Sequence, residues 1–179
     1  MGRKASINAE EILDTAEAIV INEGSAHLTF ENIAQKLGIT KGGVQYSFAS
    51  KDAIIERLIN RWNDSFDIEM AKHMPENPAP AEYIRAHIKA THVIDKNYNK
   101  GAGLMAALMD NRKFREITLD WYQKRLAALA QLQGAEKQRL QLAFWACEGV
   151  FLLTSFGFTP CSGQSWNAVF NDINHQLLN

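Results

Sequence analysis

The chain has 179 residues, 46% of them hydrophobic, and a formal net charge of −1. That is enough apolar material to bury the core of one or two small domains, and the charge balance excludes a protein that coats a polyanion with a uniformly basic surface. No apolar run approaches the roughly 20 residues that cross a bilayer, and the opening MGRKASINAEE lacks the apolar stretch of a signal peptide, so a cytoplasmic protein with no membrane partner is expected.

The 11 glycines and 4 prolines fall mostly in four short clusters, at 38–43, 75–80, 101–103 and 157–163, and the long periodic segments between them predict an all-α fold. Asn8 with Glu11 has the spacing of a capping box, and Ile12, Ala16, Ile19 and Val20 mark the apolar face of a first helix ending before Gly24. Thr29 is placed to cap a second helix whose Phe30, Ile33, Ala34 and Leu37 share one face. Gly38 ends it, since a residue just past a helix C-terminus often takes positive φ, and Ile39 can tuck back under the turn. Thr40 caps a third helix, residues 41–48, with Val44 and Phe48 inward and Lys41, Gln45, Tyr46 and Ser47 free to face outward. Two short helices joined by a tight turn make a helix-turn-helix.

The segment LTFENIAQKLGITKGGVQYSFASK resembles the amino-terminal domain of the TetR family of bacterial repressors. The resemblance rests on Leu28-Thr29, Ile33-Ala34, Gly38-Ile39-Thr40, Lys41-Gly42, Tyr46, Phe48 and Ser50-Lys51. Two positions depart from the family pattern: Gly43 stands where many members carry Thr or Ser, and Ser47 where His is common. The resemblance implies an N-terminal three-helix DNA-binding domain over 1–50 and a C-terminal helical ligand-binding and dimerisation domain over 51–179, about nine helices in all.

Ser50 can cap a long fourth helix carrying Ile54, Leu58, Trp62, Phe66 and Met70, which ends by Pro75. After the Pro-rich loop, residues 80–97 place Tyr83, Ile84, His87, Ile88, Thr91 and Ile94 near one side of a helix. A short apolar segment follows at 104–109, then helices at 112–133, with Gly134 as the stop, at 135–156, and at 165–178. The penultimate helix is apolar nearly all round from Ala143 to Leu153, which requires burial on several sides.

Phosphate and base-edge contacts are expected from Thr29, Thr40, Lys41, Gly42, Gln45, Tyr46 and Lys51, and a solvated helix face is the bland alternative. Arg3 and Lys4 form either a groove-entering arm or a solvated tail. Residues 1–51 are not basic overall, so the acids of the first helix, Glu10, Glu11, Asp14 and Glu17, must be segregated from the reading face. Trp62, Phe66, Met70, Met105, Met109, Trp121, Glu148 and Phe151 are the candidates for a permissive effector cavity, with plain core packing as the alternative. Glu148 is costly to bury alone; structural pairing is the first reading and contact with a cationic ligand the second. Phe144, Phe151, Trp166, Phe170, Ile173 and Leu177, in the two last helices, are candidates for a homodimer surface or for the subunit's own core.

Cys147 and Cys161 sit in an apolar helix and a Pro/Gly loop, a placement that suits free thiols in a reducing compartment. His92 and Asp95 alone make no metal site, no cofactor is expected, and the chain lacks the phosphate loop, nucleophile elbow or zinc helix on which an enzyme would rest. The expectation is a ligand-responsive repressor, dimeric on a palindromic double-stranded operator and released by a small hydrophobic or cationic effector. The alternative is a helical small-molecule- or partner-binding protein whose head no longer reads DNA.

Overall fold

A computed structural model describes residues 8–93, 104, 105 and 107–178. Eight α-helices run through them: α1 Ala9–Glu23, α2 Phe30–Leu37, α3 Lys41–Ser47, α4 Lys51–Ala71, α5 Pro80–Val93, α6 Arg112–Gln131, α7 Gly134–Ser155 and α8 Gln164–Ile173. A π-helical turn, Asn174–Leu178, carries α8 onward, and no strand occurs among the described residues. Arg3, Lys4, Ile94, Asp95, Gly101 and Gly103 lie outside the described residues.

The caps read from the sequence are all made. Asn8 Oδ1 accepts from the Glu11 amide at 2.9 Å while Glu11 Oε2 accepts from the Asn8 amide at 3.3 Å. The side chains of Thr29, Thr40 and Ser50 accept from the amides of Asn32, Gly43 and Ala53 at 3.1, 3.2 and 3.1 Å. Gly38 takes φ +65°, and the Ile39 amide bonds back to the Ala34 carbonyl at 3.0 Å, so the turn between α2 and α3 closes as a Schellman motif. Each cap satisfies an amide or carbonyl that a helix end leaves open, so these four boundaries are set locally.

Further along, the boundaries shift. Helix α6 stops at Gln131, and Gly134, at φ +60°, is the first residue of α7 rather than the end of α6. Leu132 is buried and takes the extended backbone that ends the helix, so a packing contact outranks the glycine as the stop signal.

One continuous buried cluster joins Ile12, Ala16, Ile19, Ile33 and Val44 of the first three helices to Ile54, Ile55, Leu58 and Ile59 of α4, and runs on to Phe144, Trp166 and Phe170. A smaller cluster unites Phe66 and Met70 of α4 with Ala86, Ala90 and Trp121. Helix α4 therefore lies in both. The acids of α1 turn toward it: Arg61 reaches Asp14 at 2.7 Å and Glu17 at 3.1 Å, and Arg57 reaches Glu10 at 3.7 Å. Arg125, 1% exposed, lies 3.4 Å from the Trp121 ring centroid and donates to Asp67 of α4 at 2.6 Å, so a buried cation is held by an aromatic face and a carboxylate.

Of the two readings of the last helices, burial within the single chain favours the subunit's own core. Phe144, Phe151, Trp166, Phe170 and Ile173 are buried within the single chain, and Leu177 is partly buried against the same core. The apolar residues that remain outside on and beyond α7 are Leu142, Trp145, Leu153 and Phe158.

If apolar burial rather than the α1–α4 ion pairs fixes α4 to the head, Ile55→Ala lowers unfolding stability by about 2–5 kcal/mol, and Arg61→Met, half-exposed and screened, by less than ~1 kcal/mol. Urea unfolding of both variants checks the order; equal losses would contradict it.

Candidate nucleic-acid interface and interior cavity

Helix α3 packs through Val44, fully buried, and leaves Thr40, Lys41, Gly42, Gly43, Gln45 and Tyr46 exposed. Tyr46 is 95% exposed, and nothing in the chain's own packing accounts for a tyrosine held there. A Cβ added at Gly42 or Gly43 would meet nothing closer than 3.9 and 3.5 Å, so the fold itself does not demand these glycines. They leave that stretch of α3 without side chains.

Charge on this face is held in reserve. Lys41 Nζ lies 2.5 Å from Glu31 Oε1 across the α2–α3 corner, both side chains exposed, and this contact holds the Glu31 carboxyl below its usual range. Lys51 Nζ donates to the Ser25 carbonyl at 2.7 Å, closing the end of the short turn Ser25–His27 onto the start of α4. Thr29 and Thr40 already use their hydroxyl oxygens as caps, with each hydroxyl hydrogen left to donate.

Behind the head, α4, α5, α6 and α7 line a small cavity of about 30 Å³. Six of the eight sequence candidates border it: Trp62 and Phe66 from α4, Met105, Trp121 from α6, and Glu148 and Phe151 from α7. Met109 instead lines an adjoining open groove between α6 and α7, beside Leu126, Trp145 and Gly149. Met70 borders neither; it is sealed in the α4–α5–α6 core, one turn beyond the cavity.

Five polar wall residues went unassigned in the sequence, among them Asn63 of α4 and Thr118 of α6. His87 and Thr91 come from α5 and Tyr122 from α6. The signal for His87 was its place among Ile84, Ile88 and Thr91 on an inward face, since a histidine there needs a partner.

That partner is Glu148. Its Oε1 lies 2.7 Å from His87 Nε2, and its Oε2 accepts a short hydrogen bond from the Tyr122 hydroxyl, so three helices meet at one carboxylate. Burial, reinforced by the Glu148 carboxylate, holds the Tyr122 hydroxyl protonated well above its ordinary pKa of 10.0. Burial likewise pushes the Cys147 thiol up. His87, Cys147 and Glu148 bring nitrogen, sulfur and oxygen within 4.8 Å of one another. With the thiol protonated and both carboxylate oxygens engaged, this is a hydrogen-bonded cluster rather than an open coordination site.

A capped, exposed recognition helix on a helical body with an interior cavity is the architecture of a helix-turn-helix regulator. Residues 12–58 match the family model of bacterial regulatory proteins of the tetR family, and residues 81–177 match that of the tetracyclin repressor-like C-terminal domain. The chain belongs to the TetR family of transcription regulators. A curated relative, an uncharacterised HTH-type transcriptional regulator in the dhlA 5' region of Xanthobacter autotrophicus, is 31% identical over 74 residues. That match covers 41% of this chain and 37% of the relative, so the chain spans about a third of its length. Among solved structures, a transcriptional regulator from Rhodococcus sp. Rha1 superposes with a TM-score of 0.67 at 18% identity, covering 96% of each chain. AibR, solved with isovaleryl coenzyme A and operator DNA, superposes with a TM-score of 0.67 at 16% identity, covering 94% of this chain and 97% of its own. No helix among the described residues is long and apolar enough to cross a membrane.

The raised pKa of Tyr122 has a definite sign. Its contribution to stability is fully present below the ordinary value of 10.0 and is lost as the pH rises above it, because only the unfolded chain then ionises. Urea unfolding between about pH 9 and 11 should show a shallower alkaline loss for Tyr122→Phe than for the wild type; identical slopes would contradict the assignment.

Proposed function

We propose that this chain is a ligand-responsive repressor that binds a palindromic operator as a homodimer and releases it when a small hydrophobic molecule fills the cavity. The observation that carries this is the position of α4: it begins three residues after α3 and supplies Trp62 and Phe66 to the cavity wall. A ligand that favours one tilt of α4 favours one placement of the recognition helix. The shift in operator affinity then equals the ligand's differential affinity for the two states.

Thr29, Thr40, Lys41, Gly42, Gln45, Tyr46 and Lys51 make the reading face in this account. Lys41 exchanges Glu31 for a phosphate, so operator binding costs one internal ion pair and gains one phosphate contact. AibR supports the general scheme, since operator DNA and a small molecule occupy one protein of this fold. The cationic option for the effector loses its footing, because both oxygens of Glu148 are engaged inside the chain.

A seven-residue recognition helix reads little sequence alone, and two of them about 34 Å apart read a palindrome. The second copy would dock on α7, where exposed Leu142, Trp145 and Leu153 recur at helical spacing, with half-buried Gly149 between them. Trp145 is 50% exposed and is the large anchor of that stripe.

Fluorescence anisotropy with the DNA upstream of the protein's own gene tests the reading face. Tyr46→Ala and Lys41→Ala should weaken binding at fixed salt while leaving the thermal midpoint unchanged, with Lys41→Ala lowering the salt slope by about one. Wild-type affinity in both variants would place the reading face elsewhere. Sedimentation equilibrium tests the stripe: Trp145→Glu should shift the chain from dimer to monomer, and a variant that stays dimeric would rule that surface out.

A further inference from the structure

The interior cavity holds about 30 Å³, room for a water or two, whereas an apolar cavity that takes benzene measures on the order of 150 Å³. The adjoining groove between α6 and α7 holds about 500 Å³, within the ~300–1,000 Å³ of small-molecule sites. Size therefore places the body of an effector in the groove. Met109, Leu126 and Trp145, 45, 39 and 50% exposed, come from separate stretches of chain and border this one depression. Large apolar side chains left in water around a single concavity mark a binding surface rather than scattered exposure.

The groove is long and nearly without charge. Phe114, Thr118, Tyr122 and Leu126 line it at every fourth residue of α6, and Trp145, Gly149, Leu152 and Phe156 line it along and just past the end of α7, so it runs roughly 16–18 Å along both. Among the described residues, Glu148 is the one charged residue on its wall, and both carboxylate oxygens are engaged by His87 and Tyr122. A charged ligand group would lose its hydration there and gain no free counter-charge. A second copy is the poorer occupant. A stable interface takes about 20–30 residues a side, and the α7 stripe meets the groove only at Trp145 and Gly149.

Resting on the reading of this region as the effector domain, we propose that the effector is an uncharged, elongated apolar molecule laid in the α6–α7 groove. Met105, Phe114, Thr118, Tyr122 and Glu148 border both the groove and the cavity, so the occupant bears on side chains that share the cavity with Trp62 and Phe66 of α4. Helix α6 gives a second route to α4, through Lys113–Glu56 at 3.4 Å and Arg125–Asp67 at 2.6 Å.

Calorimetric titration of the full chain with octan-1-ol, cyclooctanol, octanoate and octan-1-aminium tests this. Octan-1-ol should bind at least ~10-fold more tightly than either ion, and more tightly than the compact cyclooctanol. A Cβ added at Gly149 meets nothing within 4 Å, so Gly149→Leu fills the groove without disturbing the fold. That variant, and Leu126→Asp on the facing helix, should each weaken octan-1-ol by ~10-fold or more. Octan-1-ol affinity unchanged in both variants overturns the groove as the site while leaving the cavity reading standing. Tightest binding of an ion overturns the uncharged class, and tighter binding of cyclooctanol overturns the elongated shape. Leu126→Asp turning a dimer into a monomer in sedimentation equilibrium, with octan-1-ol affinity unchanged, assigns the groove to a second copy instead. Binding of none of the four by the wild type overturns both this proposal and the effector reading beneath it.

Discussion

Helix α4 must satisfy two packing environments with one rigid rod. Its first half buries Ile54, Ile55, Leu58 and Ile59 in the cluster that contains the three head helices, and its second half buries Phe66 and Met70 against α5 and α6. Because the interior is close-packed, the rod cannot shift at one end without a matching adjustment at the other. Its charges tie it to both sides along its length: Arg57 and Arg61 hold α1, while Glu56 and Asp67 are bound by Lys113 and Arg125 of α6. Everything proposed for this regulator, from the Tyr46 face to the His87–Glu148–Tyr122 cluster, acts through that rod.

The reading head was legible in the sequence because its determinants are local. A cap is a side chain three residues from the amide it serves, and the glycine turn is decided by one residue's φ, so Asn8, Thr29, Gly38, Thr40 and Ser50 needed no knowledge of tertiary structure. The expected segregation of the α1 acids was also legible in outline. Their partners Arg57 and Arg61 lie some 40 residues away in the chain, and only the packed structure pairs them.

Helix α7 shows why the second half was harder. Periodicity says which residues avoid water, and it does not say whether they meet their own chain or a copy of it. Phe144 and Phe151 turned inward, and Trp145, next to Phe144 and equally apolar, was left at the surface. Glu148 could be singled out because a charge inside an apolar run needs a partner. His87 and Tyr122 could not be matched to it, since both lie on other helices and neither has unusual neighbours in sequence. The cavity itself is a property of how four helices fail to close completely, which no single helix encodes.

The central claim is that filling the cavity moves the head through α4. Ala49 lies exposed between α3 and α4, and both native cysteines are buried, so Ala49→Cys can be spin-labelled selectively. Pulsed electron–electron double resonance then gives the distance between the two labels of a dimer with and without a saturating small apolar ligand that calorimetry shows to bind. The account predicts a shifted distance distribution in the ligand-bound protein, accompanied by weaker operator binding. A distribution unchanged by a ligand that demonstrably occupies the cavity would contradict it.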